Sequence, residues 1–246
     1  MPILMNETME ELRTASNYKF SAVRVDELGA TKYTLATIVV DVSGSVAAYQ
    51  QELENSLITI LQSCQKSPMA ENLLIRLLSF NDNCDEIHGF KLLSEVAEND
   101  YKNLLNPCGG TALFDATHSA IEATRDYGRI LVDQDFLANA IVFVITDGAD
   151  NSSSVNASSI KTVINQTIKD ELLESMSVIL IGISSNDSSV ANYLDTFKQE
   201  ANITQFIDIG DATPSKLAKM AQFISRSISS TSQSLGSGSA SGPLAF

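Results

Sequence analysis

The chain has 246 residues, 44% of them hydrophobic, and a formal net charge of −14 with a pI of about 4.4. That charge argues against nucleic acid as a partner, because phosphate contacts need clustered Lys and Arg, and it suits a soluble chain that binds cations or basic partners. No apolar run reaches about 18 residues, so neither a membrane span nor a membrane partner is expected.

Residues 1–17 are polar and predict a helix around Glu7–Arg13. Tyr18–Val25 alternates Tyr18, Phe20 and Ala22 against Lys19 and Ser21, the period of a half-exposed strand. Lys32–Asp41 becomes almost wholly apolar toward its end, as a strand buried on both faces does. Leu53, Leu57, Ile60 and Leu61 give Val46–Ser67 helical spacing, and Pro68 closes it. Asn72–Asn81 reads as a second buried strand, with Glu86–Leu93 returning as an antiparallel edge. Val96–Leu105 reads as a short helix before the breaker-rich loop Asn106-Pro107-Cys108-Gly109-Gly110-Thr111. A helix over Ala112–Leu131 and a buried strand over Ala138–Asp147 follow. Then come an amphipathic segment over Ile160–Leu173 and a strand over Met176–Ser184. Helix Val190–Glu200, strand Thr204–Ile209 and helix Pro214–Ile228 complete the pattern. From Ser227 onward no residue is charged, and eight Ser and three Gly mark a flexible tail. Its apolar end, Ser-Gly-Pro-Leu-Ala-Phe, reads as a fraying terminus rather than a docking peptide.

Apolar strands alternating with amphipathic helices predict an α/β fold. The expected architecture is a doubly wound, mainly parallel six-stranded sheet with helices on both faces and one antiparallel edge strand. Residues 1–33 form an N-terminal extension with an extra strand, 34–228 the domain, and 229–246 the tail. The extra strand is not expected beside the first core strand, so it extends a sheet edge, covers a face or meets a partner. The start MPILMNETMEELR lacks the basic onset and apolar core of a secretory signal. Cys64, Cys84 and Cys108 are too scattered for a disulfide framework or a zinc site. Both points lead to a cytoplasmic expectation.

Sheets of this kind gather ligand sites at the carboxyl ends of their strands. At one such end stands Asp41-Val42-Ser43-Gly44-Ser45, three oxygen-bearing side chains on a tight turn. Oxygen donors suit a hard cation, Mg²⁺ first, with Mn²⁺ and Ca²⁺ as alternatives. Thr111 in a Gly-Gly-Thr loop and Asp147 in Ile-Thr-Asp-Gly complete a pattern that resembles the von Willebrand factor type A domain with its metal-ion-dependent adhesion site. The resemblance runs over about residues 34–228 by element order. It implies that Ser43 and Ser45 bind the cation directly and that Thr111 does so in the partner-bound form. Asp41 and Asp147 then act through water and hydrogen bonds. It further implies a non-enzymatic module whose metal accepts an Asp or Glu from a protein partner. The implied setting is an intracellular adaptor beside an AAA ATPase or in a stress-response complex.

Two other classes stay open. One is a structural subunit of a larger assembly, such as a phage or secretion particle. The other is a metal-dependent hydrolase or phosphatase, against which stands Ser43 in the place of a second Asp. Among nearby residues, Asp150 and Asn151 read as a solvated loop. Asn81 and Asp82 divide evenly between support of the site and simple polarity. Asp115 either orients the site or caps a helix. Cys108 reads as a semi-buried thiol, and His88 and His118 as structural.

Overall fold

The described residues form one sheet of eight strands in the order β1-β2-β5-β4-β3-β6-β7-β8. The computed structural model describes residues 7–183, 187–237, 242 and 244–246. Expectations that touch residues 1–6, Ser184, or 238–241 and 243 of the tail lie in part outside the described residues. The strands are β1 Met9–Arg13, β2 Lys19–Val23, β3 Lys32–Asp41, β4 Leu73–Phe80, β5 Cys84–Leu92, β6 Leu137–Thr146, β7 Met176–Gly182 and β8 Gln205–Asp208. The helices are α1 Gln50–Gln65, α2 Leu113–Val132, α3 Ala157–Lys169, α4 Ser188–Glu200 and α5 Pro214–Ser234.

β3 lies between β4 and β6 and is parallel to both, and the parallel order continues through β7 and β8. β5 returns antiparallel to β4, and β1 pairs antiparallel with β2. β2 in turn meets β5 in parallel at Ala22 and Phe90. The expected six-stranded sheet with one antiparallel edge is therefore corrected to eight strands with two antiparallel pairs. β5 is no edge, because the N-terminal hairpin covers it. A Cβ on Gly89 would collide with the Ser21 carbonyl, so the close approach of β2 needs glycine there. The helix expected around Glu7–Arg13 is strand β1. Glu and Arg favour helices only weakly, and pairing with β2 overrides that preference.

The strands read as continuous apolar runs because both faces are covered. Ile38, Val40, Leu77, Phe143 and Ile181 meet α1 and α5 on one face. Val39, Leu78, Val142, Val144 and Leu180 meet α2, α3 and α4 on the other. Toward the hairpin, Phe20, Tyr33, Phe90 and Tyr127 form a third cluster. Arg76 of β4 is fully buried there and pairs with Glu86 of β5 at 2.7 Å. Its guanidinium donates to the Tyr18 hydroxyl at 3.2 Å and lies 5.6 Å from the ring centres of Tyr18, Phe20 and Phe90. Glu86 also accepts from the Ser21 N–H at 2.8 Å and the Ser21 hydroxyl at 2.6 Å. This polar knot ties the hairpin to the sheet.

Smaller differences have local causes. After Asp41 a 3-10 turn, Gly44–Ala48, precedes α1, so the helix begins at Gln50 rather than Val46. Val96–Leu105 holds a short 3-10 turn, Glu98–Tyr101, and no α-helix. α5 runs past Ile228 to Ser234.

Candidate metal centre

β3 delivers Asp41 to the carboxyl end of the sheet, where the side chain is buried. Its Oδ1 accepts the Ser43 N–H at 2.7 Å and its Oδ2 accepts the Thr146 hydroxyl at 2.6 Å. Burial pushes the Asp41 carboxyl up to about 6; the charge of Asp147 acts in the same sense, and the hydrogen bonds from Thr146 and Ser43 oppose it. The Ser43 and Ser45 hydroxyl oxygens are 3.1 Å apart, and Ser45 donates to Asp147 Oδ1 at 2.7 Å. The loop before α2 is laced to this turn by two backbone bonds, Cys108 N–H to Val42 O at 2.9 Å and Gly44 N–H to Gly109 O at 3.3 Å. Thr111, buried in that loop, places its Oγ1 3.7 Å from where a Cβ on Gly148 would lie. Asp41, Ser43, Ser45, Thr111 and Asp147 thus come from three loops and gather at one end of the sheet.

A second ring of contacts holds Thr111 in place. Its N–H donates to Asn151 Oδ1 at 2.8 Å, and the Asn151 N–H returns to the Thr111 carbonyl at 3.0 Å. Asp82 accepts from the Gly110 N–H and, at 2.9 Å, from the Ser152 hydroxyl; these bonds hold its carboxyl below the usual range. A Cβ on Gly110 would push against Ser152 Oγ, Asp82 Oδ1 and Asn151 Oδ1, so those three side chains would have to shift. Asp150 accepts from Phe114 N–H at 3.2 Å and from the Ser153 hydroxyl. Asp115 accepts the N–H groups of Ser154 and Val155 at 3.0 and 2.8 Å. Asp150 and Asn151 are therefore tied to the loop before α2, although Asn151 stays exposed as the solvated-loop reading expects. Asp82 braces the Thr111 loop, and Asp115 staples α2 to the loop after β6.

Sequence reasoning missed Tyr49 and Thr146 altogether. Tyr49 is buried, and its hydroxyl lies beside Asp147, close enough for that carboxylate to act on it. Burial first, then the charges of Asp147 and Asp41, keep that phenol protonated. Thr146 carried a usable signal, a hydroxyl one residue before Asp147 in the same strand end. Cys108 is exposed rather than semi-buried and receives the Asn81 Nδ2 at 3.3 Å. His88 is buried between the Gly89 carbonyl and the Tyr101 hydroxyl, each at 2.9 Å, and burial pushes its pKa down to about 4.

Among the described residues, no group of three or more His, Cys, Asp or Glu converges. A cation at this face would therefore rest on a different donor set, two carboxylates and three hydroxyls. Among the described residues, no ion pair engages Asp41 or Asp147. The close carboxylates leave negative charge unpaired, and an all-oxygen donor set suits a hard cation.

No family model matches the sequence, and no curated protein matches it. Solved structures do share the fold. The PilB minor pilin from Streptococcus sanguinis superposes with a TM-score of 0.55 at 15% identity, over 85% of this chain and 64% of that one. The SpaC pilus adhesin from Lactobacillus rhamnosus GG gives 0.56 at 10% identity, over 86% of this chain and 32% of that one. Proximal thread matrix protein 1 from the mussel byssus, with a zinc-occupied MIDAS motif, gives 0.52 at 14% identity, over 81% of this chain and 46% of that one. The chain spans less than two thirds of the length of each. These are adhesion and structural proteins, in keeping with a non-enzymatic chain. Their setting, in pili and a byssus thread, corrects the expectation of a cytoplasmic metal-binding adaptor for an AAA ATPase or stress-response complex. The chain has a distant von Willebrand factor type A-like fold, of the kind found in pilin and pilus-adhesin domains.

Proposed function

We propose that this chain is a non-catalytic structural and adhesion module, a subunit of a larger extracellular assembly, and that it meets an acidic side chain of a protein partner across a divalent cation. One observation carries the proposal. Two carboxylates and three hydroxyls from separate loops converge at one sheet end, and among the described residues no protein cation pairs with those carboxylates. Mg²⁺ suits the donor set first, with Mn²⁺ and Ca²⁺ as alternatives. When bound, the cation supplies a positive centre that accepts a carboxylate from the partner. Ser43, Ser45 and Thr111 offer neutral hydroxyls, which leave that charge under-compensated. Asp147 orients Ser45, and Asp41 fixes the turn through the Ser43 N–H. Asn151 and Asp82 keep the Thr111 loop in register. The zinc-occupied motif in a byssus protein of the same fold supports a divalent ion at such a face.

Titration calorimetry with Mg²⁺, Mn²⁺ and Ca²⁺ tests the cation. Saturable binding is expected in the native chain and lost in Ser43→Ala/Ser45→Ala. Heat from none of the three ions rejects the metal-mediated part. The assembly itself is tested by the size of the native complex with and without EDTA. Release by EDTA supports the metal bridge, and persistence in EDTA leaves a structural subunit whose contacts lie elsewhere.

A further inference from the structure

The N-terminal hairpin moves one edge of the sheet from β5 to β1. Two backbone bonds fix how β1 sits against β2. Arg24 N–H donates to the Thr8 carbonyl at 2.8 Å, and Thr14 N–H donates to the Tyr18 carbonyl at 2.9 Å. In an antiparallel pair, hydrogen-bonded and non-hydrogen-bonded positions alternate. Thr8, Glu10, Leu12 and Thr14 therefore direct their backbone groups to β2. Met9, Glu11 and Arg13 direct theirs to the open side, where no strand among the described residues pairs with them. The Glu11 and Arg13 side chains are exposed, on the face where Lys19 pairs with Glu11 at 3.0 Å. Leu12 is half-buried on the opposite face, against the cluster of Phe20 and Tyr127.

We propose that β1 is a docking edge for β1 of a second copy of this chain, joined antiparallel about a two-fold axis through Leu12. This goes beyond the cation proposal and makes no use of it. Charge selects both the occupant and the register. Two such edges bond only where Met9, Glu11 or Arg13 of one copy meets one of the same three in the other, so the axis passes through a residue and not between two. An axis at Met9 sets Glu11 against Glu7 of the second copy. An axis at Glu10 or Glu11 sets that residue against itself, and one at Arg13 sets two arginines together. Like charges directly opposite destabilise a pair. An axis at Leu12 sets Glu11 against Arg13 of the second copy and Arg13 against its Glu11. The two Leu12 side chains then meet on the other face. About four backbone bonds form, two for each hydrogen-bonded pair.

Charges on an edge strand ordinarily discourage such pairing. Here they are self-complementary in one register and repulsive in the others. The contact is isologous and closes at a dimer. In strand order β1 stands four places from β3, about 19 Å across the sheet. Both candidate metal faces therefore stay open, and a dimer can hold a partner at two points.

Sedimentation equilibrium of the full chain in EDTA tests the pairing. The mass should rise reversibly with concentration, from one chain toward two. Arg13→Glu and Glu11→Arg should each weaken association at least about tenfold, because both cross-strand pairs become like-charged. An equimolar mixture of the two variants should associate at least as tightly as the native chain, because every Glu then meets an Arg. A native chain that stays monomeric at all concentrations overturns the proposal, and so does a mixture no tighter than either variant alone. Crosslinking reads the register. Leu12→Cys/Cys108→Ser should oxidise to a covalent dimer, since facing residues of a non-hydrogen-bonded pair lie about 4.5 Å apart at Cα. Glu10→Cys/Cys108→Ser places its thiol opposite Thr14 and should stay monomeric. Equal crosslinking of the two overturns the Leu12 axis. Loss of metal binding leaves all of these results unchanged, so this inference and the cation proposal fail separately.

Discussion

Two carboxylate clusters stand on the same sheet and are resolved in opposite ways. Around Glu86 the chain supplies its own cation, the fully buried Arg76, and surrounds it with three aromatic rings. Around Asp41 and Asp147 it supplies hydroxyls and the Ser43 N–H and, among the described residues, no cation. Burial pushes Asp41 up to about 6. The first cluster is a structural joint whose carboxylate has its cation, although Arg76 Nη1 is buried there without a hydrogen-bond partner among the described residues. The second leaves its carboxylates without a protein cation among the described residues, which is the feature the cation proposal uses.

The largest expected effect breaks the first cluster. Arg76→Met leaves Glu86 buried without its partner, which typically costs about 3–5 kcal/mol. The urea midpoint should fall accordingly. Arg76→Met/Glu86→Leu should recover only part of the loss, because a buried pair replaced by apolar groups is often nearly neutral but the Ser21 N–H and hydroxyl lose their acceptor. A single variant as mild as a surface change would show that the hairpin does not depend on this pair.

The open cluster should answer to pH. The Asp41 carboxyl is raised from 3.8 to about 6, so the fold favours its neutral form. Its contribution is fully present below about pH 3.8 and is lost as pH rises through 6, by up to about 3 kcal/mol. In EDTA, Asp41→Asn should remove this loss and melt higher than the native chain at pH 7.5. Asn can keep its Oδ1 toward the Ser43 N–H and turn its amide toward Thr146 Oγ1, which can accept. Added Mg²⁺ should raise the melting temperature of the native chain and leave Asp41→Asn unmoved. Equal melting of both chains in EDTA across pH 5–7.5 would mean that Asp41 carries no stored electrostatic cost.

Much of the frame was legible because it depends on local pattern. β3 occupies Lys32–Asp41 as read, since a β-branched run covered on both faces has few other solutions. The meeting of Asp41, Ser43, Ser45, Thr111 and Asp147 followed from the habit of strand-end loops to share one face. What stayed hidden depends on distant partners. β1 is a strand only because β2 lies beside it, and Glu10 and Glu11 gave no hint of that pairing. β5 lost its edge through the bare backbone of Gly89 against Ser21. Asn151 looked like any loop amide until Thr111 closed on it from 40 positions away. Compartment was misread for another reason: three scattered cysteines serve a cytoplasmic and an extracellular protein equally well.

The smallest expected effect tests whether the open cluster is held ready or merely tolerated. Asn151→Ala removes the acceptor of the Thr111 N–H and should cost about 1–2 kcal/mol, the usual loss when a buried donor goes unpaired. Asn151→Asp keeps an acceptor oxygen at the same reach and should cost less than about 0.5 kcal/mol in thermal melting. The informative quantity is the ratio of effects. If Thr111 supplies an oxygen to the cation, Asn151→Ala should weaken Mg²⁺ binding severalfold, and Asn151→Asp should restore it. If melting falls and calorimetry shows unchanged binding, the Asn151 bond belongs to the fold alone, and the donor set contracts to the residues of the β3 turn and Asp147.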